Sequence, residues 1–171
     1  MTQSSYNAYT QPFWRFSLSF YESEAVRQRC LALQDDYGLD VNLLLYACWL
    51  GRQSRALVSE GADWQRVRAW HKEVVQPLRA LRRAQPRQHE GERHIRQLMQ
   101  DTELKAEQCE QWLLFRAVPT LSQPSVEVGP KLTWANLLDV AEDADQSDSR
   151  LFQWLQELVE LNHPPGDAGG P

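Results

Sequence analysis

Apolar residues along this chain recur every three or four positions in segment after segment, and Gly, Pro and capping residues separate the segments. Residues 1–11 are polar and lack periodicity, which predicts a loosely ordered N-terminal stretch. Pro12 sits where a first helical position belongs and leads Phe13, Trp14, Phe16, Leu18 and Phe20 in a short aromatic helix. A second helix is expected after Ser23, running through Val26, Cys30 and Leu33 to Gly38. Asp40 can cap a third, 41–58, whose run from Leu43 to Leu50 leaves almost no polar face. A helix apolar all round belongs in the middle of a bundle.

Asp63 can cap a fourth helix, 64–84, interrupted by Pro77, which removes a backbone donor and can kink the helix and shift its phase. Val67, Trp70, Val74, Leu78 and Leu81 fall within an arc of about 80° on this helix. The fifth helix, 91–117, carries Ile95, Leu98, Met99, Thr102, Ala106, Cys109 and Leu113 at helical spacing. Residues 118–131 contain Pro119, Pro124, Gly129 and Pro130 and read as a loop. Two C-terminal helices follow within 132–162, capped by Thr133 and by Ser147 or Asp148, and the Gly- and Pro-rich 163–171 reads as a disordered tail. No strand-like alternation and no internal repeat emerges. The pattern therefore predicts an all-α protein, a compact bundle of six or seven helices around a central apolar one. Residues 1–117 form the bundle domain, and the two C-terminal helices pack on it.

Composition fits that picture: 171 residues, 42% hydrophobic, seven Trp. Cys30, Cys48 and Cys109 each fall in an apolar helical stretch and read as reduced, buried thiols. No charged-then-apolar leader opens the sequence, and the longest apolar run is too short to span a bilayer. A cytoplasmic location without a membrane association is expected.

Several runs are distinctive as a set: Phe13-Trp14-Arg15-Phe16, Cys30-Leu31-Ala32-Leu33-Gln34, Gly38-Leu39-Asp40-Val41-Asn42 and Val74-Val75-Gln76-Pro77-Leu78. Together they resemble a family of small proteobacterial proteins catalogued only as a domain of unknown function, over roughly 12–118. The resemblance implies a bacterial setting and carries no activity, cofactor or catalytic residue.

Chemical motifs are sparse. Cys and His lack metal-ligand spacing, and His89 and His94 lie about 140° apart around a helix, so no metal or other cofactor is expected. The acidic stretch Asp139, Glu142, Asp143, Asp145 and Asp148 lacks the calcium-loop glycine and reads as a solvated connection. Nucleophile-elbow and phosphate-loop motifs are absent, so the chain carries no recognised enzymatic signature.

Charge changes the picture in one place. The net charge is −5, yet 64–100 holds nine basic and three acidic residues, leaving the remainder strongly acidic. Arg68, Lys72, Arg79, Arg82 and Arg83 lie on an arc of about 100° on the fourth helix, with Arg87 beyond it. That basic face is the candidate binding site, and an adaptor role toward an acidic protein partner is the expectation. RNA or DNA binding through the same stripe is the alternative, disfavoured by the acidic pI of 5.4. A second alternative is an enzyme or a binder of a small anionic ligand in a pocket beside Pro77. Glu103, Glu107 and Glu110 on the fifth helix decide the matter: if they meet the arginines, the stripe is structural.

Overall fold

A computed structural model describes residues 10–86, 88–144 and 147–165. Of the expected flexible 1–11 and the expected tail 163–171, residues 1–9 and 166–171 lie outside the described residues, as does Arg87. Helices dominate: α1 (Pro12–Tyr21), α2 (Glu24–Tyr37), α3 (Val41–Arg52), α4 (Gly61–Trp70), α5 (Gln76–Ala84), α6 (Glu90–Arg116), the short α7 (Val118–Leu121), α8 (Gly129–Val140) and α9 (Ser149–Asn162).

The apolar run of α3 places it at the centre, with every residue from Asn42 to Gly51 buried. Asp40 caps it as expected, its Oδ1 accepting from Asn42 N–H at 2.8 Å. The helix α8 crosses α3 most extensively, and α1, α2, α6 and α9 also pack on it. Phe13 docks α1 by ring contact with Tyr46 and Trp49, and the helix buries Trp14 as well. Gly51 makes the α3–α8 approach close: a Cβ there would stand 2.0 Å from Thr133 Oγ1 and 3.0 Å from Thr133 Cα.

Three expectations need correction. The central helix stops at Arg52 rather than near residue 58, because Ser54 turns the chain with φ of 52°. Residues that were to continue it form β1 (Arg55–Leu57), paired antiparallel with β2 (Ser122–Pro124) inside the expected loop 118–131. Asn136 holds this corner from α8, accepting from Leu57 N–H at 2.8 Å and donating to Arg55 O at 3.0 Å. Two capping residues are also reassigned. The fourth helix starts at Gly61, where Asp63 accepts from Thr120 Oγ1. The helix α8 starts at Gly129, so Thr133 lies inside it, buried, 2.8 Å from His163 Nε2.

Pro77 does disturb its helix. A π-turn, His71–Val75, joins α4 to α5, with Gln76 N–H donating to His71 O five residues back. Proline cannot follow a regular turn without crowding the carbonyl four residues earlier, and one wide turn relieves this. The extra residue rotates the following helix by about 100°. Val75 is consequently buried while Leu81, on the expected apolar stripe, is exposed. Beyond the turn, α5 and the first half of α6 form a hairpin in which no described residue from 76 to 102 is buried. Among the described residues no helix is long and apolar enough to cross a membrane.

Candidate functional site

The N-terminus of α3, the π-turn and the middle of α6 meet at one point inside the bundle. Capping commits Asp40 Oδ1 to Asn42 N–H, which leaves Oδ2 turned toward the π-turn. His71 opens that turn and brings its Nδ1 to 2.9 Å from Asp40 Oδ2 and 3.1 Å from Glu110 Oε1. The other Glu110 oxygen, Oε2, accepts from Asn42 Nδ2 at 2.6 Å, and Asn42 Oδ1 accepts from Gln111 Nε2 at 2.8 Å. Asp40 and His71 are each 8% exposed and Glu110 is fully buried.

Each carboxylate thus has one oxygen held by Asn42 and one directed at Nδ1. A single N–H cannot serve both. The Glu110 contact has hydrogen-bond geometry, whereas Asp40 Oδ2 receives no hydrogen bond despite its short distance from the ring. Burial alone would hold the imidazole neutral, but the two carboxylates outweigh it and push the His71 pKa up to about 10. Burial, reinforced by the Asp40 charge, pushes the Glu110 carboxyl well above its ordinary range. Burial also acts on Asp40, yet its contacts with His71 and Glu110 win and hold it below the usual carboxylate value. Such a cluster can hold and hand over a proton, and its donor atoms, all within 4.8 Å of one another, can also hold a cation.

Asp40 lines two clefts and His71 the second of them, while Glu110 lines neither. One, of about 390 Å³, runs between α1, α2 and α6, with Leu18 and Leu31 on its walls and Asp40, Asn42 and Gln111 along its lining. The other, of about 480 Å³, lies beside the π-turn and is lined by Tyr37, Asp40, His71, Lys72 and Gln76.

The basic stripe does not hold together as one face. Before the turn, Arg68 pairs with Asp143 at 2.8 Å. Past it, Arg79 Nε meets Glu103 Oε1 at 2.9 Å and its Nη2 meets Glu107 Oε1 at 2.6 Å. Arg82 also binds Glu103. Arg83 pairs with Asp35 at the end of α2, at 2.8 Å. Lys72 is exposed at the rim of the second cleft and has no ion-pair partner among the described residues. Burial would raise the Glu103 carboxyl, but Arg82 and Arg79 hold it below its ordinary range. Glu107 stays above its own because burial outweighs Arg79. Two of the three glutamates therefore meet the arginines, and the third, Glu110, belongs to the His71 cluster.

Sequence reasoning placed Asp40 as a cap and Glu110 in a stripe, and it passed over His71 and Asn42. Spacing rules for metal ligands look along one segment, whereas these side chains come from three. The available signal was polarity on a core-facing surface: Gln108, Glu110 and Gln111 are all buried in α6.

The chain matches the family described as "Protein of unknown function (DUF2390)" over residues 12–114, and it belongs to that family. The matched span contains Asp40, Asn42, His71, Glu110 and Gln111. No curated protein and no solved structure matches the chain.

Proposed function

We propose that the protein binds a small molecule at the Asp40–His71–Glu110 cluster, beside the helix kink ahead of Pro77, and acts on it there. One observation carries this reading: three ionisable side chains from three segments, each at least nine-tenths buried, converge at a point where Asp40 lines two clefts and His71 one of them. Removing a charged group from water costs several kcal/mol, and an apolar trio of similar volume would serve a purely structural role at least as well. Perturbed acids and bases at a cleft floor are the usual mark of a working site. The π-turn supports the reading, since such wide turns often sit at functional positions.

The same geometry weakens docking of an acidic protein or a nucleic acid through the arginine stripe, because Arg68, Arg79, Arg82 and Arg83 are paired within the chain. Thermal-shift screening of small carboxylates and phosphates tests the proposal directly. Wild type is stabilised by at least one compound whose effect is lost in His71→Gln and Glu110→Gln. Identical responses from wild type and both variants would retire it.

A second reading has its own observation. The α5–α6 hairpin leaves Leu81 52%, Ile95 46% and Leu98 49% exposed, which fits a partly apolar protein partner. Replacing all three with Gln abolishes capture of such a partner and leaves the melting temperature unchanged. Capture that survives the replacement counts against this docking mode.

A further inference from the structure

We propose that Asp40, His71 and Glu110 are the protein ligands of a divalent first-row transition-metal ion, an inference that rests on reading this cluster as the working site. Ligands bonded to such an ion at about 2.1 Å stand about 3.0 Å apart when adjacent in an octahedron and about 3.4 Å apart in a tetrahedron. His71 Nδ1 lies 2.9 Å from Asp40 Oδ2 and 3.1 Å from Glu110 Oε1. Both distances match adjacent ligands of an octahedral ion, and all three donor atoms lie within 4.8 Å of one another.

Direction supports distance. Both contacts fall on one ring nitrogen, whose single N–H can serve only Glu110, so Asp40 Oδ2, on a side chain more than nine-tenths buried, accepts no hydrogen bond. A metal ion would take up the lone pairs that this leaves unused on Asp40 Oδ2.

The surroundings complete the ligand set. Metal-bound carboxylates are oriented by hydrogen bonds to their non-ligating atoms. Here one residue does this for both: Asn42 donates its backbone N–H to Asp40 Oδ1 and its side-chain amide to Glu110 Oε2. Gln111 fixes the Asn42 amide in turn. Two carboxylates and a neutral imidazole cancel the charge of a divalent ion, so the buried cluster becomes neutral when loaded.

Three protein ligands leave coordination positions open, as in catalytic rather than structural metal sites. An open position beside the cleft lined by Lys72 would accept water or a small anion, which two bare carboxylates would repel. The donor set also narrows the ion. Imidazole disfavours calcium and magnesium, and the absence of sulfur among the ligands disfavours copper(I), leaving the divalent ions from Mn²⁺ to Zn²⁺.

Chelator-treated, refolding-checked protein titrated with Co²⁺ and Mn²⁺ tests the site, read by metal content after desalting and by the visible spectrum of the Co²⁺ form. One ion binds per chain, calcium does not displace it, and His71→Gln or Glu110→Gln weakens binding by about 100-fold or more while circular dichroism stays helical. Asn42→Ala, which touches no ligand atom of the ion, weakens binding by about 10–100-fold, the range for loss of a supporting hydrogen bond. Glu103→Gln, outside the cluster, binds as wild type does. Absence of stoichiometric Co²⁺ binding overturns the proposal, as does equal binding by the His71 and Glu110 variants. Small-molecule stabilisation that depends on His71 without any metal uptake overturns the metal alone and leaves the ligand site standing.

Discussion

Gly51→Ala should destabilise the protein although it removes a glycine from a helix interior. The seam between α3 and α8 is the reason: the new methyl would lie 2.0 Å from Thr133 Oγ1, 2.9 Å from its Cβ and 3.0 Å from its Cα. Rotating Thr133 relieves only the first contact, and the hydroxyl is engaged with His163. The other two contacts force the helices apart. Overpacking of this kind costs about 1–3 kcal/mol, and loss of the Thr133 hydrogen bond adds about 1 kcal/mol. Higher helix propensity returns about 1 kcal/mol. A net loss of about 1–3 kcal/mol remains, or about 2–12 °C in melting temperature for a domain of this size. Urea and thermal unfolding followed by circular dichroism measure it. Gly91→Ala is the control, because nothing lies within 4 Å of its added Cβ; it should be neutral or mildly stabilising. Equal stability of Gly51→Ala and wild type would refute the close α3–α8 seam. That seam matters for function, since α3 carries Asp40 and Asn42 at its other end.

Other consequences are equally specific. Glu103→Gln should flatten the acid limb of stability against pH: a carboxyl held low by Arg79 and Arg82 stabilises above the ordinary glutamate range, and this is lost as pH falls through its depressed value. Urea midpoints at neutral and acidic pH read the difference, and parallel curves for wild type and variant contradict it. Arg79→Met alone should cost about 1–3 kcal/mol by leaving the half-buried Glu107 without its arginine while Glu103 keeps Arg82, and the double variant Arg79→Met/Glu103→Met should lose less than the two singles combined. In native protein at mildly alkaline pH a thiol reagent should label Cys109 only, because Cys30 and Cys48 are buried and burial pushes the Cys30 thiol up to about 12. Rapid labelling of all three without denaturant would mean the core opens readily. Truncation after residue 117 should leave a chain without cooperative unfolding, since it strips α8 and α9 from the apolar surface of α3.

What could be read from the sequence was what short segments encode by themselves. Pro12, Gly38 and the caps Asp40 and Asp148 mark helix ends through local backbone chemistry, and each falls where the sequence places it. Periodicity identified α3 as central because a helix without a polar face has one place to go. The strands escaped notice because three residues are too few to show alternation, and their pairing depends on Asn136 far along the chain. The phase of the basic stripe was lost at the π-turn, where a regular helical projection no longer holds. The same turn aims His71 inward. Glutamates at matching intervals along α6 looked alike in sequence, yet Glu103 faces arginines and Glu110 faces a buried imidazole. Only the fold, by bringing three segments together, separates a solvated face from a site.

The central claim is that this convergence exists to hold a metal ion, and crystals grown or soaked with Mn²⁺ test it most directly through anomalous scattering. The account predicts one strong peak at about 2.1–2.2 Å from His71 Nδ1, Asp40 Oδ2 and a Glu110 oxygen, with further density in a cleft completing the coordination. A crystal with no peak among those three atoms, and the imidazole still closed against both carboxylates, would contradict it.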